Sequence, residues 1–223
     1  VAAQSSIPSA RQNELLELAY AYVCRHGLSD LSLRPLAAAV GSSTRVLMFL
    51  FGSKEGLIRA LLARARADEL ELLDRVRPGT ADVPDGLEPF AERVWAWLSD
   101  DDHRALLRLW VEGYARSLID PHGPWAGFAR ATVTDWLGAL AAAQPPAERD
   151  TPAGAARRTA VLAVLRGAML DLLATDDRER TTAAVVRELQ EMRSRAGRDE
   201  SCRGVPSVEG GCSAPGHDEG PGP

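Results

Sequence analysis

The sequence predicts an all-α protein: a small three-helix head followed by a larger helical body. Apolar residues recur at three- and four-residue spacing through most of the 223 residues, the period of an amphipathic helix. Runs in which β-branched or aromatic residues alternate with polar ones, the mark of strands, are missing. Ser, Thr, Gly and Pro stand where helices start and stop. Composition agrees, because 45% hydrophobic and 26% charged residues is the balance of a globular protein with its own core. No apolar run approaches the roughly 18 residues of a membrane-spanning helix. No basic segment followed by an apolar stretch marks a secretion signal, so the expected location is cytoplasmic.

The elements follow in order. Ser9 and Gln12 have capping-box spacing, and Leu15, Leu18, Ala19, Tyr22 and Val23 form the apolar repeat of a first helix that Gly27 closes. Ser32 caps a short second helix, which tolerates Pro35 in its first turn and ends at Gly41. Ser43 caps a third, Thr44 to Phe51, and Gly52-Ser53 breaks it before a long fourth helix opens at Lys54 and fades near Arg77. Residues 78–86 form a Pro/Gly loop. A fifth helix over about 86–99 carries Phe90, Val94, Trp97 and Leu98 on one face. A sixth runs from Asp102 to Ile119, and a seventh follows the break at 120–124 and reaches Ala143. The eighth and ninth cover about 154–175 and 177–195. From Gly197 onward 14 of 27 residues are Gly, Pro or Ser, too little apolar content to offset ordering entropy. The expected organisation is a head over 9–53, a body over 54–196 and a disordered tail over 197–223.

Charge is unevenly spread. The net of −5 divides into six basic and four acidic residues over 1–60, and 20 basic and 27 acidic beyond. A mildly basic head on an acidic body hints at a polyanion partner for the head. The second and third helices, joined at Gly41-Ser42-Ser43, have helix-turn-helix spacing. In that motif the start of the later helix must reach base edges in a major groove about 12 Å wide. Ser43 leaves outward backbone N–H groups that favour phosphate. Arg45, on the first turn with Thr44, can donate to guanine O6 and N7; its plain reading is a solvated surface charge. Lys54, the one lysine, starts a helix, where a cation opposes the dipole, and a phosphate contact accounts for that placement. Leu47, Leu50 and Phe51 fall on the opposite face, towards the first two helices. Phe49 divides between groove contact and core, Met48 reads first as surface filler, and Ser32 is mainly a cap with a secondary phosphate contact. The DNA-contact candidates are Ser32, Arg34, Ser43, Thr44, Arg45, Met48, Phe49 and Lys54.

The stretch Leu31-Ser32-Leu33-Arg34-Pro35-Leu36-Ala37, the turn Ala38 to Gly41, and Ser43 through Phe51 resemble the helix-turn-helix of the tetracycline-repressor (TetR) family of bacterial transcription regulators. Gly52-Ser53-Lys54-Glu55-Gly56-Leu57 is similar to that family's aromatic-x-Ser-Lys-Glu-x-Leu entry to helix four. The motif covers about residues 11–60, and the helical plan extends the resemblance to about 196. Residues 166–175, followed by Asp176 to Glu179, resemble the helix-eight end of many members. Met48, Phe49 and Leu50 stand where the family often places Tyr, or Tyr and His, so contact with thymine methyls replaces some polar contacts.

The resemblance implies a homodimeric repressor that a small effector releases from a palindromic double-stranded DNA operator, and the aromatic cluster from Trp95 to Trp136 points to a largely apolar or aromatic effector. It implies an effector pocket between helices four to eight. All five tryptophans lie within residues 95–136; at helical spacing such residues ordinarily build core, yet many have polar neighbours in His103, Glu112 and Asp135. The lining candidates are Trp110, Tyr114, Trp125, Phe128 and Met169. The resemblance also implies a dimer seam on helices eight and nine, with Val161, Leu165, Met169, Leu172, Val186 and Leu189 as candidates. Two apolar faces on helix eight exceed what a single neighbour covers.

Catalysis finds no support in motifs: there is no G-x-S-x-G elbow, phosphate loop, H-E-x-x-H or glycine-rich nucleotide fingerprint. His26, His103, His122 and His217 are scattered, and Cys202, Cys212 and His217 do not have zinc-finger spacing. Cys24 reads as a small buried residue. No enzyme activity, cofactor, metal or membrane partner is expected. The alternative reading is a helical small-molecule-binding or interaction protein whose DNA-binding head has decayed.

Overall fold

The computed structural model describes residues 9–28, 30–76 and 86–203, with side chains to residue 195. The chain is all-α, with no strand among the described residues. Its helices are α1 (Ala10–His26), α2 (Leu33–Ala39), α3 (Thr44–Phe51), α4 (Lys54–Arg75), α5 (Leu87–Leu98), α6 (Arg104–Ile119), α7 (Phe128–Ala143), α8 (Pro146–Arg149), α9 (Pro152–Thr175) and α10 (Arg178–Arg203). A 3-10 turn at Asp101–His103 leads into α6. The expected eighth and ninth helices are α9 and α10, because the loop at 144–152 holds the single turn α8. Helix α10 runs to Arg203 rather than stopping near 195. The rest of the expected tail, residues 204–223, lies outside the described residues.

Capping sets the head. Ser9 accepts the Gln12 N–H at 3.2 Å, but the reciprocal half of the box does not form. The Gln12 amide instead donates to the Leu50 carbonyl at 3.0 Å, tying α1 to the end of α3. Ser43 caps α3 through the Val46 N–H at 3.2 Å, and Ser53 caps α4 through Gly56 at 2.9 Å. Ser32 holds the N-cap position of α2 but makes no side-chain cap bond; its hydroxyl is exposed. Gly41 takes φ +63° in the turn between α2 and α3, a region that costs an L side chain strain. At Gly56 a Cβ would stand 2.0 Å from the Phe51 carbonyl oxygen, so glycine is what lets α4 start this close to the end of α3.

Leu15, Ala19 and Val23 of α1 meet Leu36 of α2 and Leu47 of α3, all fully buried. Two positions of the α1 repeat differ from expectation. Leu18 is 45% exposed and Tyr20, rather than Tyr22, is buried. Helix α1 packs against α4 and α6 as well as α2, which rotates its buried arc towards Tyr20, whose hydroxyl donates to Asp68 of α4 at 2.7 Å.

In the body, α5 packs on α7, α9 and α10, while α4 rests on α6 and α7. Trp95 is buried in place of Trp97 and donates its indole N–H to Thr182 at 3.1 Å. Arg66 clamps Asp135 from α4 to α7 through Nε at 2.5 Å and Nη2 at 2.9 Å. Arg157 joins Glu88 of α5 and Glu148 of α8. Such two-pronged guanidinium–carboxylate contacts fix relative helix position as well as adding energy.

The expected dimer seam is corrected here. Val161, Leu165 and Leu172 of α9 and Leu189 of α10 are between 0% and 4% exposed inside one subunit, so their side chains have no surface left to offer a second copy. The physical reason is that α9 has α10, α7, α5 and α6 around it, and these together cover both apolar faces. Met169 faces a cavity described below. Of the six candidates, only Val186 is exposed, at 37%.

Candidate functional site

The first site is the outer surface of α2 and α3. Leu47 anchors α3 to the core, with Leu50 and Phe51 packed against it, and the remaining face points outward. Ser43, Arg45, Met48 and Phe49 are all exposed, with Phe49 at 85%. That resolves the two readings of Phe49: its ring is not core. Ser32, Arg34, Thr44 and Lys54 line one shallow hollow between the start of α2, the start of α3 and the start of α4. Residues far apart in the chain thus share one surface with the first turn of α3.

Arg34, Arg45 and Lys54 make no ion pair among the described residues; the same holds for Arg59, Arg108, Arg116 and Arg130 of the body, while Arg64, Arg66, Arg104, Arg157 and Arg180 are paired. One acidic residue, Asp30, shares the hollow with Arg34 and Lys54. Unpaired cations beside an exposed helix N-terminus make a surface with a positive local field, open to an anion.

The second site is a cavity of about 400 Å³ in the body, bounded by α4, α5, α6, α7 and α9. Trp110, Tyr114, Phe128 and Met169 line it, with Leu98, Val111, Trp136, Leu165 and Leu170. Trp125, also a lining candidate, is placed elsewhere. It faces a separate hollow beside α4 with Arg59, Leu62 and Arg66, because the turn at 120–127 carries it past the cavity wall. The expected polar neighbours of the tryptophans also sort differently. Trp97 stacks on His103 at 3.7 Å, but Asp135 pairs with Arg66 and Glu112 accepts a backbone N–H from the head.

Two charged residues missed by sequence reasoning enter this cavity. Glu69 of α4 is 1% exposed. The Trp136 indole N–H donates to its Oε1, and its Oε2 has no hydrogen-bond partner. Burial, aided by the Asp135 charge, pushes the Glu69 carboxyl up to about 7; the Trp136 and Thr132 groups and the Arg166 charge act the other way. Arg166 of α9 lies over the Tyr114 ring at 5.0 Å and donates to its hydroxyl at 3.4 Å, and its Nη2 is buried without a partner. Glu69 lies in a helix rich in charge, Arg64 to Glu71, and nothing in that spacing separates it from its solvated neighbours. No cluster of His, Cys, Asp and Glu fit for a metal occurs among the described residues. Among them, no helix is long and apolar enough to cross a membrane.

No family model matches the sequence, and no curated protein is detectably similar to it in sequence. Solved structures are similar over most of their length. A transcriptional regulator from Rhodococcus sp. Rha1 superposes with a TM-score of 0.66 at 19% identity, covering 81% of this chain and 95% of its own. A TetR transcription regulator from Haloarcula marismortui gives 0.64 at 17% identity, covering 82% and 95%. The multidrug binding protein EbrR complexed with imidazole gives 0.58 at 25% identity, covering 84% and 96%. EbrR is also known in complex with malachite green. Helix order, the position of the head and the extent of the match agree: the chain has the fold of the TetR-family transcriptional regulators.

Proposed function

We propose that the protein is a sequence-specific DNA-binding transcription regulator, a homodimeric repressor released from its operator by a small, largely apolar or aromatic effector. The observation that carries the reading is the outer face of α3, where Thr44, Arg45, Met48 and Phe49 flank a helix start and the nearby cations Arg34 and Lys54 are unpaired. Phosphate contacts position such a helix and base-edge contacts select the site. Met48 and Phe49 add apolar surface for thymine methyl groups.

The dimer rests on a different row of residues from the one expected. Ala156, Ala160, Ala163, Gly167, Leu170 and Ala174 are exposed at alternating four- and three-residue spacing on α9. A Cβ at Gly167 would meet nothing within 4 Å. Ala183 and Val186 of α10 are exposed on the neighbouring helix. A two-fold axis brings this patch onto itself, and a row of small residues lets helices approach closely. The body cavity is the effector site in this reading. That EbrR, a protein of the same fold, binds imidazole and malachite green supports a small-molecule ligand.

The test is a gel shift with DNA from around the protein's own gene, repeated across salt concentrations. A specific complex whose affinity falls steeply with salt is expected, since phosphate neutralisation releases counterions. Absence of any specific complex, with DNA selected from a random pool failing as well, would move the protein to the interaction-protein reading.

A further inference from the structure

Glu69 is the residue the fold does least to explain. A carboxylate buried to this degree is retained where it is paired, hydrogen-bonded on both oxygens, or used. Here one oxygen takes the Trp136 N–H, while the other makes no hydrogen bond of normal geometry; the nearby Thr132 hydroxyl favours the ionised form but is itself unsatisfied, and both residues line the cavity. Around it stand the rings of Trp110, Tyr114, Phe128 and Trp136. Aromatic faces are negative and attract cations when water is excluded.

We propose that this cavity binds a lipophilic monocation, an aryl compound carrying one protonated or quaternary nitrogen, with its charge held against Glu69. This rests on the effector-site reading of the cavity and narrows it to a ligand class. The charged and titratable groups around Glu69 bear it out. On α4 and α7, Arg66 and Asp135 neutralise one another in their clamp. On α6, Tyr114 is engaged by Arg166. Arg166 of α9 is the one cation facing the cavity without a carboxylate partner. It already has an aromatic face and a hydroxyl, so its charge is partly met, whereas the open oxygen of Glu69 is not. An anionic ligand would meet aromatic walls and an acidic side chain, with Arg166 as its one attraction. A cationic ligand meets the same rings and completes the pairing of Glu69, against repulsion from Arg166, whose guanidinium is engaged by the Tyr114 ring and hydroxyl. Volume is consistent, since about 400 Å³ holds two or three fused or linked rings.

Binding is read from quenching of tryptophan fluorescence, because Trp110 and Trp136 line the cavity, and by calorimetry. Three probes of one shape separate the chemistry: the cation N-methyl-para-phenylpyridinium, the neutral para-methylbiphenyl and the anion biphenyl-para-carboxylate. The cation is expected to bind at least about ten-fold more tightly than the neutral probe. Glu69→Gln, which keeps an acceptor for the Trp136 N–H, is expected to bring the cation down to the neutral probe's affinity. Arg166→Gln is expected to strengthen the cation, so the two variants move it in opposite directions. In the native protein the cation's affinity rises with pH as Glu69 ionises, with proton release on binding near neutrality; in Glu69→Gln it does not. A preference for the neutral or anionic probe, or a cation affinity indifferent to Glu69→Gln in a folded variant, overturns the ligand class while leaving the cavity as a binding site. Failure of all three probes to bind overturns both readings.

Discussion

The Glu112 carboxylate accepts the backbone N–H of Leu28 at 2.8 Å, joining the middle of α6 to the segment just beyond the C-cap of α1. Glu112 lies between Val111 and Tyr114, both of which line the cavity, while Leu28 is buried in the core of the head. Next to it, a Cβ at Gly113 would come within 3.0 Å of Leu62 and 3.1 Å of Phe128, so α6 is pressed tightly between α4 and α7. A ligand that shifts α6 therefore acts on the head through a charged hydrogen bond as well as through α4. Glu112→Ala is expected to destabilise the protein by about 1–3 kcal/mol, the cost of leaving a buried N–H unpaired. It should also weaken the effect of a bound ligand on DNA affinity while leaving ligand affinity near native. Parallel titrations of ligand and DNA check this, and an unchanged release ratio would deny Glu112 the coupling role.

Arg45 and Lys54 should separate in their effect on DNA. Arg45→Ala is expected to cost about 1–3 kcal/mol on the preferred operator and to relax base preference at one position in each half-site. Lys54→Ala is expected to weaken all DNA about equally and to lower the salt slope by about one ion per site. Competition binding against a set of operator variants distinguishes the two. Equal losses on every sequence for Arg45→Ala would remove it from the groove.

The exposed row on α9 makes a prediction about assembly. Ala163→Glu and Leu170→Glu place a charge on the proposed dimer face and should give a folded monomer in sedimentation, with helical content unchanged. Leu189→Glu should behave differently. Its side chain is fully buried within one subunit, and an unpaired buried charge costs far more than an interface contact, so loss of fold is expected. A dimer that survives both α9 variants would place the interface elsewhere.

Glu69 should impose a pH dependence on stability. Its carboxyl is held at about 7 in the fold, against 4.5 in the unfolded chain. The folded state therefore keeps a proton that the unfolded state releases, and stability falls as pH rises through this window. The loss is on the order of 3 kcal/mol between about pH 4.5 and pH 8. Denaturant melts of the native protein and of Glu69→Gln at both ends of that range check the sign, because the variant should lack this loss. A bound cation should reverse the trend by stabilising the ionised form.

The helices and the head were legible from local chemistry. Ser9 and Ser43 cap where expected, whereas Ser32 holds its cap position without making the bond, and the Ser53 cap and the close approach at Gly56 emerged only in the fold. The exposed first turn of α3 followed from Leu47, Leu50 and Phe51 claiming the inner face, since all of these relations lie within one or two helical turns.

What the sequence by itself determined, then, was the order of the long helices, the helix-turn-helix and the inner face of α3, while the place of Phe49 stayed open until the fold exposed it. The tertiary structure alone decided that both apolar faces of α9 are internal, because burial there depends on α5, α6, α7 and α10, brought together from across the chain. The same long-range packing moved Trp125 out of the cavity wall and drew Glu69 and Arg166 into it. Periodicity reports that a helix has an inside. It does not report how many neighbours share that inside, nor which charged residue among several on a helix is left facing a cavity instead of water.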